Sequence, residues 1–295
     1  MIKRIVGIEQ RSYLYKKNQQ LVVEQDHCVQ GTVPIEDVGA LVLSDPAIVV
    51  SQSLVIACLE AGAVIIFCDR RHMPASVLLP LDGHSLHAKV LETQIGVSKP
   101  VKKRLWKQII TQKIRHQALV LDRYQAHPQQ LMAISGRVKS GDPENLEAQA
   151  AKYYWKNLFP TDFRRNPNGD GINACLNYGY AVMRAAIARA ICATGLHPAL
   201  GIHHCNQYNA MQLADDLIEP LRPMVDIAVY ELLTSSGKSD LHLNSDVKKC
   251  LLSITTSECV IGDTTLPLMI ALSRYAASLK KAFEGNTKTL EIPSI

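Results

Sequence analysis

Pro80–His87, PLDGHSLH, is short and polar, holds a proline and a glycine, and divides the chain into two kinds of sequence. Before it, short β-branched runs alternate with turns. After it, strand signals nearly vanish and apolar residues recur at helical spacing. The expected fold class is α+β with two domains. A small N-terminal β-sheet domain with one helix spans 1–80, a linker spans 81–87, and a larger all-α C-terminal domain spans 88–295.

Upstream of the divide, Ile2 to Ile8 is rich in β-branched residues. Ser12 to Tyr15 and Leu21 to Glu24 flank KKNQQ (16–20), which reads as a hairpin. Thr32 to Ile35 and Gly39 to Ser44 follow as short strands. Ser51 to Glu60 has helical spacing, with Leu54, Val55 and Cys58 on one face, and Gly62 stops it. Val64 to Cys68 is a buried strand, and Ser76 to Leu79 a last one. Downstream, Val101 to Ala118 places Leu105, Trp106, Ile109, Ile110 and Ile114 on one helix face. Asp142 is expected to cap a helix with Pro143 at its first position. Gly171 to Thr194 reads as a long apolar helix ended by Gly195. Met211 to Leu233 and Leu266 to Phe283 are two more, and TKTLEIPSI (287–295) reads as a tail.

With 295 residues, 47% hydrophobic and 20% charged, the chain can bury a real core and is not of the disordered class. Its eight cysteines (28, 58, 68, 175, 192, 205, 250, 259) include no CxxC pair and lie mostly in apolar runs. That disfavours a structural zinc site or a disulfide framework. MIKRIVGIEQ is not a signal peptide, and the longest apolar stretch, Leu54 to Cys68, is broken by Glu60 and shorter than the ~20 residues a spanning helix needs. A soluble, cytoplasmic protein with no membrane partner is expected. The net charge of +5 permits a nucleic-acid partner without demanding one. From His87 to Ala126, however, nine Lys or Arg face two acids, an excess larger than that of the whole chain. Such a run is usually a solvated helix face, but a local, one-signed run also suits phosphate contacts.

Two stretches carry candidate chemistry. In DPENLEAQAAKYYW (142–155), Glu147 shares a helix face with Ala151, Tyr154 and Leu158. A carboxylate turned toward a core needs an Arg, a hydrogen-bond network or a metal as partner. In HHCNQYNAMQLADDLIEP (203–220), two histidines and a cysteine precede Asp215, Asp216 and Glu219, of which two or three share one helix face. A cation or Arg222 must offset their repulsion, and Pro220 should bend the helix. His with carboxylates suits Mg²⁺ or Mn²⁺. Cys205 beside His203 and His204 would instead point to zinc, and a hydrogen-bonded loop pair is the plain alternative for the histidines.

Three ordered motifs resemble those of the CRISPR-associated integrase/endonuclease family, the larger subunit of the spacer-acquisition complex. They are NLEAQAAKYY (145–154), NACLNYGY (173–180), and GIHH (201–204) followed by DLIEPLRPMVD (216–226). The His-Cys-Asn-Gln-Tyr-Asn run is most similar to members accompanying the single-protein (type II) effector nuclease. The family often has Gly where Ala148 stands, and many members have Asp where Glu219 stands, which lengthens the reach by one methylene.

The resemblance implies an active site in the helical domain, with a divalent metal held by Glu147, His204 and Glu219. Asp216, one turn earlier, is a candidate to assist. His204 is preferred to His203 because it directly precedes the Cys-Asn-Gln-Tyr-Asn run. The implied activity is metal-dependent DNA integration by transesterification, joining the 3′-OH ends of captured fragments into a repeat array, with endonuclease activity where water attacks. The implied partners are double-stranded DNA (captured fragment and repeat array), a small CRISPR-associated adaptation subunit, the type II effector nuclease, and a second copy of this chain through the β domain. Lys102, Lys103, Arg104 and Lys107 would contact phosphates without reading sequence. The rival expectations are a free-standing metal-dependent DNA nuclease, a non-catalytic DNA-binding scaffold whose acids pair with Arg222 or other bases, and a zinc hydrolase using His203, His204 and Cys205.

Overall fold

In the computed structural model, which describes residues 4–70, 72–79, 85–160, 162–237 and 240–295, the N-terminal part is built from two four-stranded sheets. Its elements are β1 (Arg4–Ile8), β2 (Tyr13–Lys17), β3 (Gln20–Gln25), β4 (Cys28–Pro34), β5 (Val38–Leu43), β6 (Val49–Val50), α1 (Gln52–Glu60), β7 (Val64–Cys68) and β8 (Pro74–Leu78). One sheet has the order β4-β3-β2-β6, the other β1-β5-β7-β8. In the second, β1, β5 and β7 are parallel and β8 is antiparallel to β7.

The hairpin expected at KKNQQ is present. Lys17 pairs with Gln20, and the two intervening residues, Asn18 and Gln19, have φ of 50° and 58°. A two-residue loop with positive φ at both positions matches the twist of its strands. Asp26 and His27 make a second such turn, with φ of 48° and 63°, from β3 into β4. Strand β4 therefore begins at Cys28 rather than Thr32. Its first five residues are exposed, so no apolar alternation marked it.

Strand β5 is buried at all six positions. Because successive side chains point to opposite faces, Leu41, Leu43 and Ile65 meet Leu14, Leu21, Leu54 and Cys58 in a small core. Ala40, Val42, Val64 and Ile66 face the main core together with the helices. Two filled faces are why β5 and β7 read as continuous apolar runs.

The helical part runs α2 (His87–Gly96), α3 (Lys99–Arg123), α4 (Gln129–Arg137), α5 (Leu146–Leu158), α6 (Ile172–Ala193), α7 (Gln212–Ile218), α8 (Arg222–Ser236), α9 (Ser245–Ser253), β9 (Glu258–Ile261), β10 (Thr264–Pro267) and α10 (Leu268–Phe283). Of the expected linker, residues 80–84 lie outside the described residues, and α2 starts at His87. Among the described residues no helix is long and apolar enough to cross a membrane.

Four expectations are corrected. The C-terminal part is not all-α. Strands β9 and β10 form a hairpin through Gly262 and Asp263, with Cys259 and Ile261 buried beneath it. Gly262 has φ of 58°, a glycine-type turn whose signal the helical reading overlooked. The 287–295 segment is docked, since Ser294 exchanges backbone hydrogen bonds with Val260 and Gln108 binds Lys288 O and Leu290 N. Helix 211–233 is broken: α7 ends at Ile218, a 3₁₀ turn spans Glu219–Leu221 around Pro220, and α8 follows. Finally, α5 begins at Leu146, not Pro143. Asp142 and Asn145 both take positive φ, and the Asp142 carboxylate caps the amides of Leu146 and Glu147 at 2.9 and 3.0 Å.

Helix α6 runs through the main core and crosses α8 closely. A Cβ at Gly179 would lie 2.4 Å from Val225 Cγ1. Gly179→Ala is therefore expected to destabilise the fold by about 1–3 kcal/mol, read as a lowered thermal midpoint. An unchanged midpoint would show that α8 can give way.

Candidate active site

The centre of the site is a lysine. Lys113 projects from the buried face of α3 and is 7% exposed. Its ammonium donates to Glu147 Oε1 and to Glu219 Oε2, each at 2.5 Å. Glu147 stands in the first turn of α5, where the helix N-terminus favours a carboxylate. Glu219 is buried in the 3₁₀ turn, and its other oxygen accepts from Arg222 Nε at 2.9 Å. Burial pushes the Glu219 carboxyl up, but the Arg222 and Lys113 charges outweigh it and hold it at about 2. For Lys113 burial pulls downward, while Glu219 and Glu147 hold the ammonium above its ordinary value.

The 3₁₀ turn that presents Glu219 is pinned from α3. His116 is fully buried, its Nδ1–H donates to Pro220 O at 2.5 Å, and Gln112 Nε2 donates to its Nε2 at 2.7 Å. Burial lowers its pKa, which keeps the ring neutral.

The histidine loop is organised by Asp216, which is 0% exposed. Its carboxylate accepts the amides of Ile202 (2.5 Å), His203 (3.0 Å) and His204 (3.2 Å), and His204 Nδ1 at 2.6 Å. Gly201 allows this approach, because a Cβ there would lie 2.7 Å from His204 O and 2.9 Å from Asp216 Oδ2. The hydrogen bond to Asp216 raises the His204 pKa, more than burial lowers it, and Glu219 adds to the rise. With Nδ1–H committed to Asp216, the neutral ring carries its lone pair on Nε2. His203 instead stacks flat on the buried Trp106, with ring centroids 4.2 Å apart. Trp106 also meets the His204 ring edge-on at 5.7 Å.

The three acids of the 203–220 stretch thus go separate ways. Asp215 binds Arg184 and Asn209. Asp216 holds the loop, and Glu219 faces Lys113 and Arg222. Behind them a buried cluster ties the helices together. Asp226 of α8 accepts from Tyr154 of α5 at 3.0 Å and from Tyr180 of α6, and Arg222 lies over the Tyr180 ring at 4.6 Å. Burial raises the Asp226 pKa to about 7.

Among the described residues, no three of His, Cys, Asp and Glu gather closely enough to hold a metal. This holds for His203, His204 and the exposed Cys205, and equally for Glu147, His204 and Glu219, of which the two acids share the Lys113 ammonium. The donor chemistry nevertheless fits a hard or borderline divalent ion. Two carboxylate oxygens from different elements converge on one positive charge, and beside them stands an imidazole with a fixed tautomer.

The four candidate phosphate contacts on α3 differ in exposure. Lys103 and Lys107 are exposed, while Lys102 and Arg104 are half-buried. Lys102 Nζ reaches Gly201 O at 3.4 Å, beside the histidine loop. Arg104 Nε is buried without a hydrogen-bond partner among the described residues.

Sequence reasoning missed Lys113, His116 and the tyrosine cluster. Lys113 was counted within the basic run of α3. Yet Lys113 and His116 lie four and seven residues beyond Ile109, on the apolar stripe, and a cation on such a stripe signals a buried partner.

A family model described as CRISPR associated protein Cas1 matches residues 5–264. The CRISPR-associated endonuclease Cas1 of Neisseria meningitidis is 34% identical over 100% of this chain and 97% of its own length. Among solved structures, a casposase bound to integration product superimposes with a TM-score of 0.81 at 18% identity, over 99% of this chain and 93% of that one. A chain of a Cas6-RT-Cas1–Cas2 complex gives a TM-score of 0.77 at 17% identity, over 98% of this chain and 36% of that one.

Proposed function

We propose, from the premise that the chain belongs to the CRISPR-associated Cas1 family, that it is a divalent-metal-dependent DNA endonuclease and integrase of CRISPR adaptation. It joins the 3′-OH ends of captured double-stranded fragments into a repeat array by transesterification. The observation that carries the reading is the convergence of Glu147 and Glu219 on one cation position beside the His204 loop. The relative's name as an endonuclease and the fold shared with a casposase bound to integration product support it.

In this reading Glu147, His204 and Glu219 hold Mg²⁺ or Mn²⁺, and Asp216 orients His204 rather than ligating. When bound, the ion supplies Lewis-acid stabilisation of charge developing on the phosphoryl oxygens. The chain's own residues do the rest. Asp216 fixes the imidazole, His116 fixes the turn that carries Glu219, and Arg222 keeps that carboxylate ionised. No protein nucleophile is needed, because the attacking group is a DNA 3′-hydroxyl or water. Lys102, Lys103, Arg104 and Lys107 would hold the DNA backbone. The likeness to a chain of a Cas1–Cas2 complex supports the small adaptation subunit as partner. A homodimer and the type II effector complete the proposed assembly.

One observation favours a second reading. Glu219 pairs with Arg222 and Lys113, as a non-catalytic DNA-binding scaffold would have it. Joining separates the two readings. Wild type and Glu147→Ala are incubated with Mn²⁺ or Mg²⁺, a short duplex with free 3′-ends and a supercoiled plasmid carrying a repeat, with and without the small subunit. Only the wild type is expected to join duplex to plasmid. Equal behaviour of both proteins would favour the scaffold, and cleavage without joining the free-standing nuclease.

The pH dependence follows from His204. A ligating imidazole must be neutral, and its pKa is raised from the ordinary 6.5, so protons compete at higher pH than for a free imidazole. Glu219, held at about 2, stays ionised throughout this range. Between pH 8.5 and 5.5, Mn²⁺ binding and joining are expected to begin falling above pH 6.5. A profile flat to well below 6.5 would remove His204 from the ligands.

A further inference from the structure

We infer that Lys113 is a resident counter-cation of the site, holding Glu147 and Glu219 together in the metal-free protein and exchanging with the divalent ion. The inference rests on the reading of both acids as metal ligands. It is carried by the placement of one ammonium 2.5 Å from a carboxylate oxygen of each. The two acids stand on different elements, α5 and the 3₁₀ turn, and Lys113 reaches them from a third, α3.

The geometry suits exchange. Lys113 occupies Glu219 Oε2, while Arg222 occupies Oε1. Withdrawal of the lysine therefore frees Glu147 Oε1 and Glu219 Oε2 together and leaves Glu219 still paired. A lysine on a flexible four-carbon stem can make that move, where a rigid guanidinium fork could not do so as readily. Without any cation, two carboxylates would face each other in a partly buried site and repel. With the metal in place, the displaced ammonium still hangs from the neighbouring turn of α3 and opposes the ion's charge. Lys113 thus trades metal affinity for an assembled site at rest, and the ion that enters must outcompete a fixed charge.

Mn²⁺ titration followed by electron paramagnetic resonance, on the full chain without DNA, tests this with wild type, Lys113→Met and Glu219→Gln. Methionine keeps most of the stem's apolar packing without the charge. Lys113→Met is expected to bind Mn²⁺ on the order of ten- to a hundredfold more tightly than wild type. Its metal-free thermal midpoint should lie below that of wild type, and saturating Mn²⁺ should narrow the gap. Glu219→Gln should lose tight binding. Equal or weaker binding by Lys113→Met, with binding lost in Glu219→Gln, would overturn the inference and leave the ligand assignment intact. Equal binding by all three would remove the ligand assignment itself.

A measurement on the wild type covers the case in which Lys113→Met does not fold. Amine-reactive labelling of Lys113, read by mass spectrometry, should be slow in the metal-free protein and should quicken when Mg²⁺ saturates the site. A labelling rate unchanged by Mg²⁺ would also overturn the exchange.

Discussion

Glu219→Gln should abolish strand joining and also weaken the fold, whereas Glu147→Gln should abolish joining alone. The difference lies in burial. The Glu219 side chain is 6% exposed and faces two cations, Lys113 and Arg222. Glutamine leaves the buried Lys113, beside the half-buried Arg222, with too little negative charge, and breaking a buried ion pair from one side costs about 3–5 kcal/mol. The Glu147 side chain is 26% exposed, so water can take over part of its role, and its loss should cost about 1 kcal/mol or less. Joining should fall at least about 10²–10³-fold in both variants, as when a charge-stabilising group is removed from an active site. Urea denaturation at pH 7.5 beside the joining assay makes the comparison. A Glu219→Gln protein as stable as wild type would mean that Lys113 and Arg222 find other partners. A variant that still joins would mean that Glu219 is not a ligand.

Asp216→Ala should damage the fold about as much as Glu219→Gln. Its carboxylate satisfies three successive backbone amides, Ile202 to His204, and the His204 ring, in a fully buried position. Alanine leaves those donors without an acceptor, at a cost of about 3–5 kcal/mol. It also frees His204 to change tautomer, so joining should be lost with the loop. Asp216→Asn keeps one acceptor oxygen for the amides and should cost about 1–3 kcal/mol. Hydrogen exchange at Ile202, His203 and His204 should quicken more than elsewhere in Asp216→Ala. Protection left intact, with a stability change within about 0.5 kcal/mol, would show that the loop is held by other contacts.

The residues that act through local pattern were legible in the sequence. Asn18-Gln19 announced a hairpin, the runs at β5 and β7 announced buried strands, and Gly195 ended α6 close to where expected. The acids at 215, 216 and 219 were visible as a cluster that needed counter-charges. Which partner each takes was not visible, because those partners come from distant elements. Arg184 lies on α6, Lys113 on α3, and the amides that Asp216 accepts lie in a loop a dozen residues upstream. The hairpin of β9 and β10 was missed because its short strands lie between helical runs and only the Gly262-Asp263 turn marks it. The docked 287–295 segment was missed because its partners, Gln108, Val260 and Arg274, come from elements distant in sequence, and a nine-residue stretch carries no pattern that names them.

The claim that Glu147, His204 and Glu219 act as one metal site is tested most directly by X-ray anomalous scattering from crystals of the wild-type protein grown with Mn²⁺. The expected result is one strong anomalous peak about 2.1 Å from Glu147 Oε1, Glu219 Oε2 and His204 Nε2, with the Lys113 ammonium moved away from both carboxylates. A peak elsewhere, or Lys113 still bridging the two acids with Mn²⁺ present at saturation, would contradict it.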